Sequence, residues 1–287
     1  MQSVQLVCRR RLYTIVAGIF LGLFSARAVD YWAAPAAAGM GDGTSSGNAA
    51  YYLNSSFWNT VKSRLSSDDV NVNFLNGNYS AGTLTLTDIG NPLHQLSLQS
   101  VNLYGAAMSV SSGTSTIINI TGCQNIKFYG IQFNGLCSYW GVYCIPDYLK
   151  PCRNLEFSYC QFLNLTNAYY AAIGLLNGAR DITVDNCTFT NLDYGTSGTA
   201  HFIYASHDIM GVQVLNSSFA DCRADYVRFR DDSEYCTVSN CTFLSTISAT
   251  SFPFITSPLY NTTSPGPGDE FFGTYFQICD NSFTYSI

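Results

Sequence analysis

The sequence predicts an all-β fold, a single solenoid of stacked parallel rungs with a short N-terminal capping helix. Three observations predict it. A strand pattern recurs six times along the chain. A turn-forming residue recurs at a fixed place inside that pattern. The composition is that of strands and turns, with 20 Tyr, 19 Phe and only 11% charged residues. So low a charge fraction, beside 47% hydrophobic residues, excludes an intrinsically disordered chain. A length of 287 residues allows one large or two small domains.

Residues 1–28 read as a secretory signal peptide. Arg9, Arg10 and Arg11 form a basic start, Leu12 to Phe24 an apolar core, and Ala26-Arg27-Ala28 an A-x-A cleavage site. The apolar run is shorter than the roughly 20 residues a membrane span needs. An uncleaved anchor is the alternative. Cleavage removes four of 13 basic residues and no acidic one, so the mature chain carries 9 − 19 = −10. That balance argues against a nucleic-acid partner. Ten of the 11 cysteines remain, with no C-x-x-C pair and three His in the whole chain, which is not zinc-site spacing. Export permits disulfides.

Residues 29–66 are expected to form an N-terminal cap. Tyr51, Leu53, Phe57, Trp58, Val61 and Leu65 give Ala49–Leu65 the apolar stripe of an amphipathic helix. Residues 67–287 are expected to form the solenoid. Its repeat is apolar, any, apolar, four residues, Phe. It occurs at Ile126, Phe128 and Phe133; Leu155, Phe157 and Phe162; and Ile182, Val184 and Phe189. Further copies are Val212, Val214 and Phe219; Cys236, Val238 and Phe243; and Phe276, Ile278 and Phe283. The Phe-to-Phe steps are 29, 27, 30, 24 and 40 residues. Period-2 alternation makes each copy a half-buried strand. Asn186, Asn216 and Asn240 fall three before the Phe, where a left-handed corner suits Asn. Stacking at about 4.8 Å would align the Phe residues as an inner ladder. Cys160, Cys187, Ser217 and Cys241, two before the Phe, would form a second ladder, of buried thiols or of disulfides between rungs.

With these residues, the mature chain resembles the pectate-lyase-like superfamily of right-handed parallel β-helices. The repeated rung carries the resemblance at Gln124–Phe133, Arg153–Phe162 and Arg180–Phe189, as does the opening stretch Val70–Thr87, VNVNFLNGNYSAGTLTLT, together with the helix before it. The resemblance implies a single right-handed parallel β-helix of about seven or eight rungs. It implies no one activity, because the superfamily holds lyases, hydrolases, epimerases and non-enzymatic proteins.

Two segments break the repeat, Asn134–Pro151 and Thr250–Gly273. Long loops in a solenoid shape a binding face or cover ladder ends. Cys137 and Cys144 lie close enough in the first for a local disulfide. His94 stands alone and reads as structural.

Chemistry concentrates in Ala200–Ser233. Aligning Val212 with Cys236 gives a rung of 24 residues, which stacks His201 on Asp225, Tyr204 on Arg228, Ser206 on Arg230 and His207 on Asp231. Simple alternation turns Ile203 and Val227 inward, and so Phe202, Tyr204, Tyr226, Arg228 and Arg230 outward. Guanidinium groups bind carboxylates in two-pronged fashion, and rings cover sugar faces, so this face suits an acidic, uronate-containing polysaccharide. Uronate β-elimination needs a cation for the carboxylate, here Arg228 or Arg230. It also needs a base, here Tyr204, His201 or His207. Phe202, Tyr226, Asp225, Asp231 and Asp232 are expected to frame the substrate. The rivals are a non-catalytic carbohydrate-binding or adhesion solenoid, in which Arg228 and Arg230 merely pair with neighbouring carboxylates, and a hydrolase using Asp231 and Asp232. The G-H-G and R-I-K elements of the polygalacturonases are absent, as is the aspartate cluster of the calcium-dependent pectate lyases. No metal ligand set and no cofactor are assigned, with calcium left open. Eight N-x-S/T sequons, at Asn54, Asn78, Asn119, Asn164, Asn186, Asn216, Asn240 and Asn261, fall partly on the rung corners.

Overall fold

The computed structural model describes residues 28–110, 116–135, 139–145, 147–165, 170–192, 200–247, 253–258 and 273–286. The expected signal peptide apart from Ala28, Cys137, Asn261 and most of Thr250–Gly273 lie outside the described residues. Among the described residues no helix is long and apolar enough to cross a membrane.

The chain coils through three parallel sheets of ten, eight and seven strands. Each turn runs first sheet, second sheet, third sheet. One such turn is Arg180–Asp185, Thr188–Leu192 and His201–Ser206. Seven turns are complete from Val70 onward, and an eighth ends in the second sheet at Ser282–Tyr285. Every strand pairs with its equivalent one turn away, so each position of the repeat becomes a straight ladder.

The inner Phe ladder is present in the expected register: Phe133 pairs with Phe162, then Phe189, Phe219, Phe243 and Phe283. Their rings stack at 4.6, 4.7, 4.7, 4.8 and 5.1 Å. The first five are sealed from solvent, whereas Phe283, in the last turn, is 48% exposed. Burying one such ring contributes about 3 kcal/mol by area.

The residue three before each Phe takes the left-handed conformation in all six copies. These are Gly130, Tyr159, Asn186, Asn216, Asn240 and Asp280, with φ between 48° and 65°. The corner turns the chain from the first sheet into the second, and Asn lowers the cost of that conformation. The small residue that follows finishes the corner. The Cys160 N–H meets the Cys187 sulfur at 3.4 Å, and the Cys187 N–H donates to Ser217 Oγ at 3.1 Å. The nine described cysteines are free thiols, eight of them buried. Burial pushes Cys123, Cys222 and Cys236 up to about 12, which leaves them unreactive.

The capping helix runs Ser55–Arg64, shorter than the apolar stripe implies. Asn54 is its N-cap and accepts from the Ser56 and Phe57 N–H groups, so Tyr51 and Leu53 precede the helix. Phe57, Trp58 and Val61 close the end of the core. The cap region also supplies a strand, Val29–Ala34, paired with Val70–Phe74. His94 is at the surface, 3.4 Å from Asp69.

The corner geometry predicts a specific pair of effects. Asn240→Ala should lower unfolding free energy by about 1 kcal/mol, and Asn240→Gly should leave it nearly unchanged. Urea denaturation of the two variants checks this. Equal losses would mean the backbone conformation is not what Asn240 supplies.

Candidate functional site

The site is built on the third sheet. Its strands Trp140–Cys144, Ala171–Leu176, His201–Ser206, Val227–Arg230 and Ile255–Thr256 lie in register. Val142, Ile173, Ile203, Val227 and Ile255 form one inward ladder. Between them lies the outward ladder Tyr143, Gly174, Tyr204, Arg228 and Thr256. Tyr204 therefore sits beside Arg228, and Ser206 beside Arg230, as the 24-residue rung requires.

Two residues expected on this face are not there. Phe202 is 1% and Tyr226 2% exposed, and both lie in the core. The Phe202 ring packs 5.6 Å from Phe189 and 5.9 Å from Phe219, while the Tyr226 hydroxyl donates to the Leu244 carbonyl at 2.8 Å. The cause is a backbone kink repeated from turn to turn. The N–H groups of Phe202 and Ile203 both donate to the Tyr226 carbonyl, and those of Tyr226 and Val227 both donate to Phe254. Two consecutive donors on one acceptor break the alternation as a bulge does, so both residues of each pair point inward.

The remaining groups converge. Arg228 Nη1 lies 3.4 Å from His201 Nε2 and 3.5 Å from Asp225 Oδ2. Its Nε is buried with no hydrogen-bond partner among the described residues. His201 Nδ1 is 2.9 Å from the Asp225 carbonyl oxygen. A carbonyl only accepts, so Nδ1 carries the proton and the Nε2 lone pair faces Arg228. Burial, joined by the charges of Arg228 and Arg230, holds His201 down at about 4 despite the opposing pull of Asp225. Asp225 is itself buried and accepts from Thr256 Oγ1 at 2.5 Å.

Arg230 has a different place from Arg228. It is buried, with Nε donating to Asp231 Oδ2 at 2.7 Å and Nη1 donating to the Tyr204 hydroxyl oxygen. Asp231 has no exposed surface and also accepts from Ser206 Oγ at 3.1 Å. This carboxylate cannot reach a glycosidic bond, and the hydrolytic pairing of Asp231 with Asp232 loses its first member. His207 Nδ1 lies 3.8 Å from the same carboxylate. His207, Asp231 and Asp232 all adopt left-handed backbone at the strand ends, with φ of 68°, 52° and 59°. Burial pushes the Tyr204 phenol up, and the arginines only partly offset it.

Sequence reasoning missed the aromatic group above this cluster. Trp140 opens a strand inside the segment read as a loop. Its ring stacks on Tyr143 at 4.8 Å and Tyr170 at 4.9 Å, and meets the Tyr204 ring edge-on at 6.0 Å. Tyr139 lies 6.0 Å from Tyr170, and these two present 42% and 40% of their surface to solvent. Gly174 makes the stack possible, because a Cβ there would come within 2.3 Å of the Trp140 ring. The alternation of Trp140, Val142 and Cys144 was the available signal.

The family described as right handed beta helix region matches residues 143–263. The pectate lyase Pel9A superposes with a TM-score of 0.57 at 16% identity, over 78% of this chain and 57% of that one. The chain thus spans a little over half the length of that lyase. An alginate lyase from Paenibacillus sp. str. FPU-7 superposes at 0.40 and 9% identity, over 79% of this chain and 95% of that one. No curated protein matches the sequence. The fold is a right-handed parallel β-helix, as the resemblance implies.

The buried imidazole gives a pH prediction. The folded value of His201, about 4, lies below the ordinary 6.5. Its contribution to stability is full above pH 6.5 and is lost as pH falls toward 4. The loss amounts to about 3 kcal/mol. Urea melts across that range should show the fall, and His201→Gln should flatten it. An unchanged pH slope in the variant would remove His201 as the cause.

Proposed function

We propose that the outer face of the third sheet binds an acidic, uronate-containing polysaccharide and cleaves it by β-elimination, in a protein exported to the cell exterior. The observation that carries this reading is Arg228. It is a partly exposed guanidinium on an outward ladder, held by two long contacts of 3.4 and 3.5 Å and with Nε unpartnered among the described residues. Weak contacts exchange cheaply for a two-pronged pair with a carboxylate. A cation on a face of a chain whose expected mature form carries 9 − 19 = −10 also works against the general field. Tyr170 and Tyr139 offer ring surface for the neighbouring sugars. The fold shared with a pectate lyase makes uronate polymers the first substrates to try.

In this mechanism Arg228 neutralises the substrate carboxylate and acidifies the proton on the adjacent carbon. Ionised Tyr204 takes that proton. The electron pair forms the new carbon–carbon double bond, the bond to the 4-linked oxygen breaks, and Tyr204 returns its proton to that oxygen. Arg230 favours the ionised phenol and is held by Asp231, whose carboxylate also accepts from Ser206. His201 orients Arg228 through its Nε2 lone pair. The step as written uses no cofactor.

Uronic-acid polymers incubated with the protein should develop the absorbance of the unsaturated product at about 230 nm. Tyr204→Phe should lower that rate at least about 100-fold with the fold intact, and Arg228→Ala should do the same. Because burial raises the Tyr204 phenol, the rate should climb through the alkaline range, about tenfold per pH unit. A flat profile, or full activity in Tyr204→Phe, would contradict the assignment. The second reading is binding without cleavage, and it draws on the same burial, which keeps both Tyr204 and His201 neutral near pH 7. Binding with no absorbance from pectin, alginate or glycosaminoglycans would select it.

A further inference from the structure

We propose that the cavity beneath the capping helix is a far subsite for the same polymer, in which Lys62 holds the carboxylate of a sugar remote from Arg228. This inference rests on the acidic-polysaccharide reading above. The cavity has a volume of about 380 Å³ and lies between the helix Ser55–Arg64 and the first strand of the third sheet, Leu84–Thr87. Leu53 and Trp58 supply apolar wall, and Asn59, Lys62, Thr85 and Thr87 supply polar groups. A few polar groups on a partly apolar wall are what a small-ligand site requires.

Register joins this cavity to the site. Thr85 pairs with Asn119, Asn119 with Tyr143, Tyr143 with Gly174, Gly174 with Tyr204 and Tyr204 with Arg228. Thr85 is thus the first member of the outward ladder that carries Tyr204 and Arg228. Five rung steps separate Thr85 from Arg228, about 24 Å along the axis. That length holds an oligosaccharide, not a single sugar.

The charge of Lys62 is available. Its Nζ donates to the Thr87 carbonyl at 3.4 Å, and it forms no ion pair among the described residues. The carboxylate of Asp88, next along the chain, is taken by Lys150 at 3.1 and 3.3 Å. Arg64, two residues on, is paired with Asp68 at 3.1 Å. Lys62 is on the exposed side of its helix, so replacing it leaves the core untouched.

Calorimetric titration with uronate dimers, trimers and hexamers from pectate and alginate tests the proposal, using Tyr204→Phe as the background so that no substrate is consumed. Affinity should rise from trimer to hexamer. Lys62→Ala should weaken the hexamer about fivefold to tenfold and leave the dimer unchanged. Lys62→Arg should keep the hexamer affinity, and Lys62→Glu should fall below Ala. Hexamer binding that depends on Arg228 but ignores Lys62 overturns the far subsite and leaves the acidic-polysaccharide reading standing. If no oligomer of either series binds, both fall together.

Discussion

Parallel strands paired at one fixed pitch are the constraint from which the rest of this molecule follows. Each turn hydrogen-bonds only to its neighbours, so a residue's partners are set by its place in the turn and not by its distance along the chain. The 24 residues between Tyr204 and Arg228 collapse to one strand spacing. The same rule stacks five sealed Phe rings into a continuous core. It also places Cys187 and Ser217 at successive corners, where each accepts the N–H of the turn before.

Within that frame the site depends on how charge is divided between two arginines. Arg230 is spent inside the structure, bridging a sealed carboxylate and a phenol. Arg228 is left with long contacts and, among the described residues, an unpartnered Nε. The difference is one of position. Arg230 is paired through Ser206 to the strand end, where the left-handed corner at Asp231 folds that carboxylate back beneath it. Arg228 projects from the outer face, where the Asp225 carboxylate 3.5 Å away also accepts from Thr256. A buried pair costs desolvation and returns rigidity. Here the rigidity falls on the oxygen of Tyr204.

The first two sheets were legible because Phe holds one inner ladder in all six copies, apolar residues alternate in the strand before it, and Asn stands at three of the six left-handed corners. The facing of Tyr204 and Arg228 was legible because the alternation holds there. It failed two residues earlier, at Phe202 and Tyr226, because doubled donation to one carbonyl turns two consecutive residues inward. The sequence carries a trace of it in the paired apolar residues Phe202-Ile203 and Tyr226-Val227. The third-sheet strand Trp140–Cys144 was hidden for another reason. The connection from the second to the third sheet varies in length from turn to turn, so no fixed offset from the Phe points to it. The proton position on His201 and the burial of Arg230 are set by three-dimensional partners alone, and no spacing encodes them.

The most direct test of the account follows the side chain of Arg228 itself. Its Nε–H resonance, identified by its disappearance in Arg228→Lys, can be tracked by nitrogen-15 NMR as a trigalacturonate or triguluronate is added. A carboxylate bound in two-pronged fashion should shift that resonance in step with saturation, while that of Arg230, already engaged with Asp231, should move little. A bound trisaccharide that leaves the Arg228 resonance in place would contradict the account, since the acid-binding face would then lie elsewhere on the solenoid.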